Sequence, residues 1–182
     1  MRDLKILRIP AERVGVLIGR NGETKRLIEN RTKVKLQINS DGEVVLDDHE
    51  VEDPIMSLVV VDIVKAIGRG FSPERALRLL EEDEYLETID IREFVGKKKN
   101  HVTRMRARLI GTKGKTRKII EDLTGASISI YGNTVSIIAN SIQMPIAKTA
   151  VEMILRGSEH ATVYRYLERS RPYLRIAEMG FD

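Results

Sequence analysis

Two four-residue segments of the chain place glycines three positions apart, with polar or cationic residues between them. They are Gly19-Arg20-Asn21-Gly22 and Gly111-Thr112-Lys113-Gly114. Glycine adopts positive φ angles without strain, and its missing Cβ atom lets a ligand come close to the main chain. If a helix begins directly after such a turn, its free N–H groups and the positive end of its dipole attract phosphate. These residues at this spacing therefore indicate a site for a phosphate-containing ligand.

Cations surround both turns. They are Lys25 and Arg26 after the first turn, and Arg104, Arg106, Arg108, Lys115, Arg117 and Lys118 around the second. From Lys97 to Lys118 all ten charged residues are cationic, although the net charge of the whole chain is only +4. A one-sided distribution of this kind favours a polyanionic partner. A charged surface without a ligand is the alternative, and it accounts less well for ten cations without one acid.

The two turns belong to an internal repeat with an offset of 92 residues. Residues 17–38 align with residues 109–130, and 9 of these 22 positions are identical, including both glycines of each turn. A lone pair of glycines at this spacing is weak evidence, but two at the same place in a repeat are unlike a coincidence. The chain is therefore interpreted as a duplication.

Each copy predicts the element order β-α-α-β-β-α. In the first copy a strand over 5–9 precedes a helix that Pro10 opens, and a second helix runs from Gly22 to about Arg31. Alternating apolar residues predict a strand over 33–38, and Ser40-Asp41-Gly42 turns it into a partner strand over 43–46. Asp53 and Pro54 start a third helix, which Gly68 ends. Its β-branched residues would also suit a buried strand, but its length favours a helix.

The second copy repeats this order. The sequence predicts strands over 85–91, 127–131 and 135–139, a helix in the basic stretch, and helices over 115–123 and 142–155. Ser72 and Pro73 predict a linking helix over 73–84, and a terminal helix is expected over 162–171. The predicted domains are residues 1–70, a linking segment 71–84, and residues 85–182 with a C-terminal helical extension.

Ile18-Gly-Arg-Asn-Gly22 and Ile110-Gly-Thr-Lys-Gly114, within this element order, resemble type I KH domains. The resemblance implies an α+β fold in which three helices pack on a three-stranded sheet. It also implies that each glycine turn holds the backbone of about four nucleotides of single-stranded RNA. Bases would lie between the paired helices and the second strand. Leu36, Ile38, Ile128 and Ile130 could line that groove or belong to the core.

A closer resemblance covers nearly the whole chain. The segments that carry it are Gly70–Leu80, Arg108–Arg117, Ile120–Ala126, Tyr131–Val135, Gly157–His160 and Val163-Tyr164. They are similar to the archaeal and eukaryotic KH proteins of small-subunit ribosome assembly, the Dim-two or partner-of-Nob-one family. This implies binding of small-subunit ribosomal RNA near its 3′ end, beside a processing nuclease. The basic stretch makes the second domain the predicted primary site.

Other functions receive less support. Gly114-Lys115-Thr116 imitates the end of a nucleotide-binding P-loop, but Leu109 stands where that motif requires its first glycine. The three histidines lack the spacing of metal ligands, and His160, which follows a helix end, is expected to cap it or to make a local hydrogen bond. The acidic residues between Asp47 and Asp53 could suggest Mg²⁺, but a solvated turn is the simpler interpretation. We therefore predict no enzyme activity, no cofactor and no metal.

Composition indicates where in the cell the protein is expected. The chain has no cysteine and no apolar run long enough for a membrane span, so we expect a cytoplasmic protein without disulfides. A general KH adaptor for messenger RNA or the exosome remains an alternative. So does a scaffold that docks a translation or processing factor through the acidic residues 81–84 or the terminal tyrosines.

Overall fold

The computed structural model describes residues 4–180, and the chain divides between Glu82 and Asp83 into two compact units. Each unit contains one three-stranded antiparallel sheet and the predicted order β-α-α-β-β-α. In both sheets the last strand of the unit lies in the middle, between the first and the second. This confirms the α+β prediction of two tandem type I KH domains.

The first unit follows the predicted elements closely. Its strands and helices are β1 (Lys5–Arg8), α1 (Val14–Ile18), α2 (Glu23–Thr32), β2 (Lys35–Ile38), β3 (Glu43–Asp47) and α3 (Pro54–Gly68). Short 3-10 turns over Ala11–Arg13 and Arg20–Gly22 precede α1 and α2. Leu36, Val44 and Leu46 alternate with exposed or half-buried residues, so the inward face of the sheet supplies part of the core.

The segment after Asp53, which could have been a helix or a buried strand, forms the helix α3, as its length predicted. The side chain of Asp53 accepts a hydrogen bond from the amide of Ile55, and Pro54 occupies the first helical turn. Val60, Ile63 and Ile67 are fully buried along one face of α3.

The predicted linking helix over 73–84 is wrong in its length. Ser72 does cap a helix, but α4 covers only Pro73–Ala76 and continues as a 3-10 turn over Leu77–Leu80. The acidic run at 81–84 would stand at the negative end of the helix dipole, where acids are unfavourable. Instead Asp83 adopts φ +62°, and the next strand begins at Glu84.

The second unit has the same order with two additional helices, one directly after its first strand and one at its C-terminal end. Its elements are β4 (Glu84–Asp90), α5 (Arg92–Val95), α6 (Lys99–Ile110), α7 (Lys115–Thr124), β5 (Ser127–Tyr131), β6 (Thr134–Asn140), α8 (Gln143–Leu155) and α9 (His160–Glu178). A 3-10 turn over Thr112–Gly114 joins α6 to α7. The core includes Ile120, Ile137 and Val151, and it is closed by Val163 and Leu167 of α9.

The terminal helix is longer than the sequence predicted. It begins at His160 rather than Thr162 and continues past Pro172 to Glu178. Proline removes one helical N–H donor and usually ends a helix. Here the buried side chain of Leu174 joins the core of the second unit, and this packing keeps the chain helical beyond the proline.

Identical residues of the repeat explain why the two copies fold alike. The hydroxyls of Thr32 and Thr124 both donate to the carbonyl four residues earlier, at 2.6 Å. The carboxylates of Glu29 and Glu121 accept hydrogen bonds from the first buried amides of the following strands, at 2.8 and 2.9 Å. These bonds fix the second helix of each unit against its second strand.

Residues 4–180 contain no helix with the length and apolarity needed to span a bilayer.

Candidate nucleic-acid interface

The two glycine turns have the same backbone conformation. The first glycines, Gly19 and Gly111, have φ of +77° and +76° with ψ of 173° in both. Asn21 and Lys113 both have φ +54°, a left-handed conformation that is uncommon outside glycine. Because the two loops differ in sequence at both middle positions, their shared geometry belongs to the fold and not to one set of side chains.

The first glycine of each loop is required by space as well as by conformation. A Cβ atom at Gly19 would overlap the hydroxyl of Thr24 and lie 2.7 Å from its amide nitrogen. A Cβ atom at Gly111 would meet Thr116 in the same way, again with 2.7 Å to the amide nitrogen. Real Cβ atoms do not approach backbone atoms so closely, so these positions accept only glycine.

The second glycine of each loop faces open space. Nothing lies within 4 Å of a Cβ atom built on Gly114, and only the guanidinium tip of Arg26 lies 3.9 Å from one on Gly22. Their left-handed φ angles of +76° and +74° still favour glycine. The main chain at these two positions is therefore accessible to a ligand backbone.

The helices that follow start at this opening, where the amides of their first residues, Glu23 and Lys115, donate to the carbonyls of Arg20 and Thr112. α2 and α7 begin directly after Gly22 and Gly114, and neither has a side chain that caps its first amides. The first N–H groups of a helix lack partners within the helix and carry the positive end of its dipole. Each loop therefore presents an uncapped helix start beside an accessible main chain, which suits a phosphate group.

The predicted loop residues lie at these openings. Arg20 and Asn21 are exposed in the first loop, and Thr112 and Lys113 are exposed in the second. An open groove of about 670 Å³ runs beside the second loop, and it is lined by Thr112, Lys113, Lys115, Lys118, Ile119 and Asp122. The structure thus brings four of the predicted RNA-binding residues together on one surface.

The helix starts differ in charge. Glu23 occupies the first position of α2, whereas Lys115 occupies the first position of α7. An acid beside the opening opposes a phosphate, and a lysine attracts it. Lys25 and Arg26 follow in α2, half-buried and exposed respectively. The second loop is therefore the more electropositive of the two.

The arginines ahead of the second loop do not all face it. Arg104 and Arg108 line a separate pocket along α6. Arg106 lies two residues from Arg104, about 200° around the helix, with its Nε atom buried. Arg117 stands 3.9 Å from the carboxylate of Glu121, one turn along α7.

Arg108 has a structural role that the sequence did not reveal. Its guanidinium donates to the carbonyls of Ile154 and Ser158, at 3.0 and 2.6 Å, and so satisfies acceptors at the end of α8. In the first unit Arg13 does the same for Ile67 and Phe71 at the end of α3. Arg108 therefore serves the fold, and its contact with RNA stays a prediction.

Two residues of α9 contact the residues on either side of the second loop, and the sequence analysis missed one of them. The hydroxyl of Tyr164 lies 2.9 Å from the hydroxyl of Thr116, the residue packed against Gly111. The ring of His160 stacks on Tyr164, and its Nε2 atom lies 2.9 Å from the carbonyl of Arg108. His160 thus makes a hydrogen bond near a helix end, but its partner lies 52 residues away and the expected local bond is not the one found. Tyr164 carried no signal beyond its family resemblance, because its partner is 48 residues away.

The apolar residues of the second strands divide between two places. Leu36 and Ile128 are buried in the cores of their units. Ile38 and Ile130 are half-buried at the end of the same strands.

Within residues 4–180, no three histidine, aspartate or glutamate side chains are grouped so that they could hold a metal ion.

Comparisons with known proteins agree with this geometry. A KH domain model matches residues 4–52, and a model described as a eukaryotic type KH-domain (KH-domain type I) matches residues 85–172. A KH domain-containing protein of Methanocaldococcus jannaschii is 46% identical over 177 residues, 97% of this chain and 78% of that protein. The RNA-binding protein PNO1 of Oryzias latipes is 26% identical over 140 residues, 76% of this chain and 58% of that protein.

A solved structure is also similar along nearly its whole length. It is the crystal structure of a complex of a/eIF2alpha, aDim2p and rRNA from Pyrococcus horikoshii, with a TM-score of 0.87 and 52% identity. The match covers 94% of this chain and 96% of that one. This protein is therefore an RNA-binding member of the Dim2/PNO1 family with two type I KH domains.

Proposed function

We propose that this protein binds single-stranded small-subunit ribosomal RNA near its 3′ end and acts in the processing of that RNA. The loop Gly111–Gly114 is the primary contact, and the loop Gly19–Gly22 is a weaker one. One observation carries the proposal. An accessible glycine, Gly114, precedes an uncapped helix start whose neighbouring side chains are cations.

The choice of ribosomal RNA rests on relatives. The Pyrococcus horikoshii structure with 52% identity is a complex that contains rRNA. Adaptors for messenger RNA or the exosome would need the same loop chemistry, so the loop alone does not separate them. Comparing the affinities for RNAs of equal length and different sequence separates the two functions.

The proposed contact has a definite electrostatic form. Thr112 and Lys113 flank the phosphate, while Lys115 and Lys118 supply positive charge along the groove. Each phosphate that these cations neutralise releases counterions. The logarithm of affinity should therefore fall with the logarithm of salt concentration by about 0.7 per phosphate on a single strand.

The test replaces the phosphate site with acids. Thr112→Asp combined with Lys113→Asp places two carboxylates where phosphate should lie, on exposed residues that leave the core untouched. Binding of a single-stranded RNA with the 3′-terminal sequence of the small-subunit rRNA is measured by fluorescence anisotropy, and folding is followed by thermal melting. We expect most of the affinity to be lost at an unchanged melting temperature.

The matched control is Arg20→Asp combined with Asn21→Asp in the first loop. It should cost less affinity, because Glu23 already weakens that site. An equal or larger loss would reverse the ranking of the two loops. Equal binding of the 3′-terminal RNA and unrelated single strands would favour the general adaptor, and tight duplex binding would contradict both.

A docking function for a protein partner is a second candidate that can coexist with RNA binding. The Pyrococcus horikoshii complex includes a/eIF2alpha as well as rRNA. A translation factor or a processing nuclease is therefore the class of partner that we propose. Co-purification of the loop variant with such a partner would show that docking is independent of RNA.

A further inference from the structure

A second pocket of residues 83–182 lies along α6 and takes no part in the groove beside the loop. It has a volume of about 260 Å³ and is lined by Val95, His101, Arg104, Met105 and Arg108. None of these residues lines the groove next to Thr112 and Lys113. The second unit therefore carries two separate recesses with basic linings.

One face of α6 forms most of this pocket. His101, Arg104, Met105 and Arg108 follow the spacing i, i+3, i+4 and i+7, which places them side by side on a helix. Val95 ends α5, and Gly96 turns the chain there with φ +82°. The hydrogen bonds of Arg108 to the end of α8 hold that guanidinium in place, so the pocket has a fixed end.

The lining combines an apolar floor with two planar polar groups, an imidazole and a guanidinium. Val95 and Met105 are half-buried and apolar, while Arg104 is exposed and His101 is half-buried beside it. Imidazole rings and guanidinium planes are among the groups on which proteins stack unpaired RNA bases. Among residues 4–180, no acidic side chain lines the pocket. Its 260 Å³ lies below the range of about 300 to 1,000 Å³ typical of small-molecule sites, which suits a single base.

The pocket is within reach of a strand held by the loop. Arg104 precedes Gly111 by seven residues, and α6 continues to Ile110. At a rise of about 1.5 Å per residue this separation is about 10 Å along the helix. A strand held at the loop can therefore continue along α6 to the pocket.

We propose that this pocket binds a base of the nucleotides that flank the segment held by the loop Gly111–Gly114. Val95 and Met105 contact the base, Arg104 and His101 stack on it, and the charge of Arg104 favours its phosphate. This inference rests on the proposed RNA binding and extends it from the loop to a longer strand.

The test compares two lengths of single-stranded RNA on the full chain. Single strands of 4 and 12 nucleotides from the 3′-terminal sequence of the small-subunit rRNA are titrated against the wild type and against His101→Ala combined with Arg104→Ala. The variant should bind the 4-mer as the wild type does and should lose about tenfold in affinity for the 12-mer. Arg169→Ala, which removes an exposed cation of α9, should change neither.

The methyl signals of Met105 and Val95 report the pocket directly. In NMR titrations of the wild type they should move with the 12-mer and stay in place with the 4-mer. Equal weakening of both RNAs in the variant, or no weakening, would overturn the pocket assignment while leaving the loop intact. Movement of these methyls with oligoglutamate but not RNA would assign the pocket to an acidic peptide and overturn it too. Failure of both RNAs to bind the wild type would remove the proposed function and the pocket's ligand together.

Discussion

Tyr164 of α9 and Thr116 of α7 are joined by a hydrogen bond of 2.9 Å between their hydroxyl oxygens. Thr116 is almost fully buried and fills the space where a side chain at Gly111 would lie. His160, one turn before Tyr164, reaches the carbonyl of Arg108 near the end of α6. Through these two residues, α9 holds both sides of the loop that we propose as the main RNA contact.

Removing the Tyr164 hydroxyl should loosen this loop. Tyr164→Phe keeps the ring and its stacking on His160 but leaves the Thr116 hydroxyl without this partner. One hydrogen bond contributes about 1 kcal/mol net, so we expect RNA affinity to fall about fivefold and the amides of residues 114–116 to exchange faster. Tyr173→Phe, an exposed change on the same helix, is the control. Unchanged exchange at the loop would show that α9 does not position it.

The two glycines of the second loop should respond differently to alanine. Gly111→Ala meets Thr116 backbone at 2.7 Å and a conformation reserved for glycine, so it should lower the free energy of unfolding by about 3 kcal/mol or more. Gly114→Ala has free space and a left-handed φ, which costs about 1 kcal/mol. Its methyl group stands where the RNA backbone should approach, so it should reduce binding more than stability. Chemical denaturation and RNA titration separate the two effects, and equal losses of stability would contradict the steric difference.

Glu23 should limit the first loop. Glu23→Lys places the cation found at Lys115 of α7 at the start of α2. In a chain whose second loop carries Thr112→Asp and Lys113→Asp, the residual RNA affinity should rise about threefold, since charges near a helix N-terminus contribute about 0.3 to 1 kcal/mol. Glu50→Lys, an exposed change elsewhere in the unit, is the matched control. The same gain from both variants would mean that net charge, and not the position at the loop, sets the affinity.

Local signals in the sequence were sufficient for most elements. Asp53 and Pro54 predicted the start of α3, and Gly132-Asn133 predicted the turn between β5 and β6. The repeat placed both glycine loops between paired helices. These features depend on neighbouring residues, and neighbouring residues are visible in one sequence.

The remaining features depend on distant partners. Arg108 was predicted to contact RNA because it lies in a basic stretch, but its acceptors are 46 and 50 residues away. The helix past Pro172 is maintained by burial of Leu174 in the core of the second unit. The predicted linking helix is shorter than expected, because its helical turns end before the acidic run at 81–84. Tertiary packing decided the first two cases, and the unfavourable position of these acids at the end of the helix dipole decided the third.

Asp62 gives a prediction for the effect of pH on stability. Burial raises the pKa of this carboxyl above its usual value near 3.8, and the nearby Lys65 opposes the shift only in part. The folded chain therefore holds this proton more tightly than the unfolded chain, so the group's contribution to stability falls as the pH rises above about 3.8. Asp62→Asn removes the buried charge and should raise the melting temperature at pH 7, and the difference from the wild type should shrink as the pH is lowered toward 3. Asp122→Asn, an exposed change on α7, should show no such trend. A stabilising effect of Asp62→Asn that is the same at pH 3 and pH 7 would mean that packing, and not the charge, limits this site.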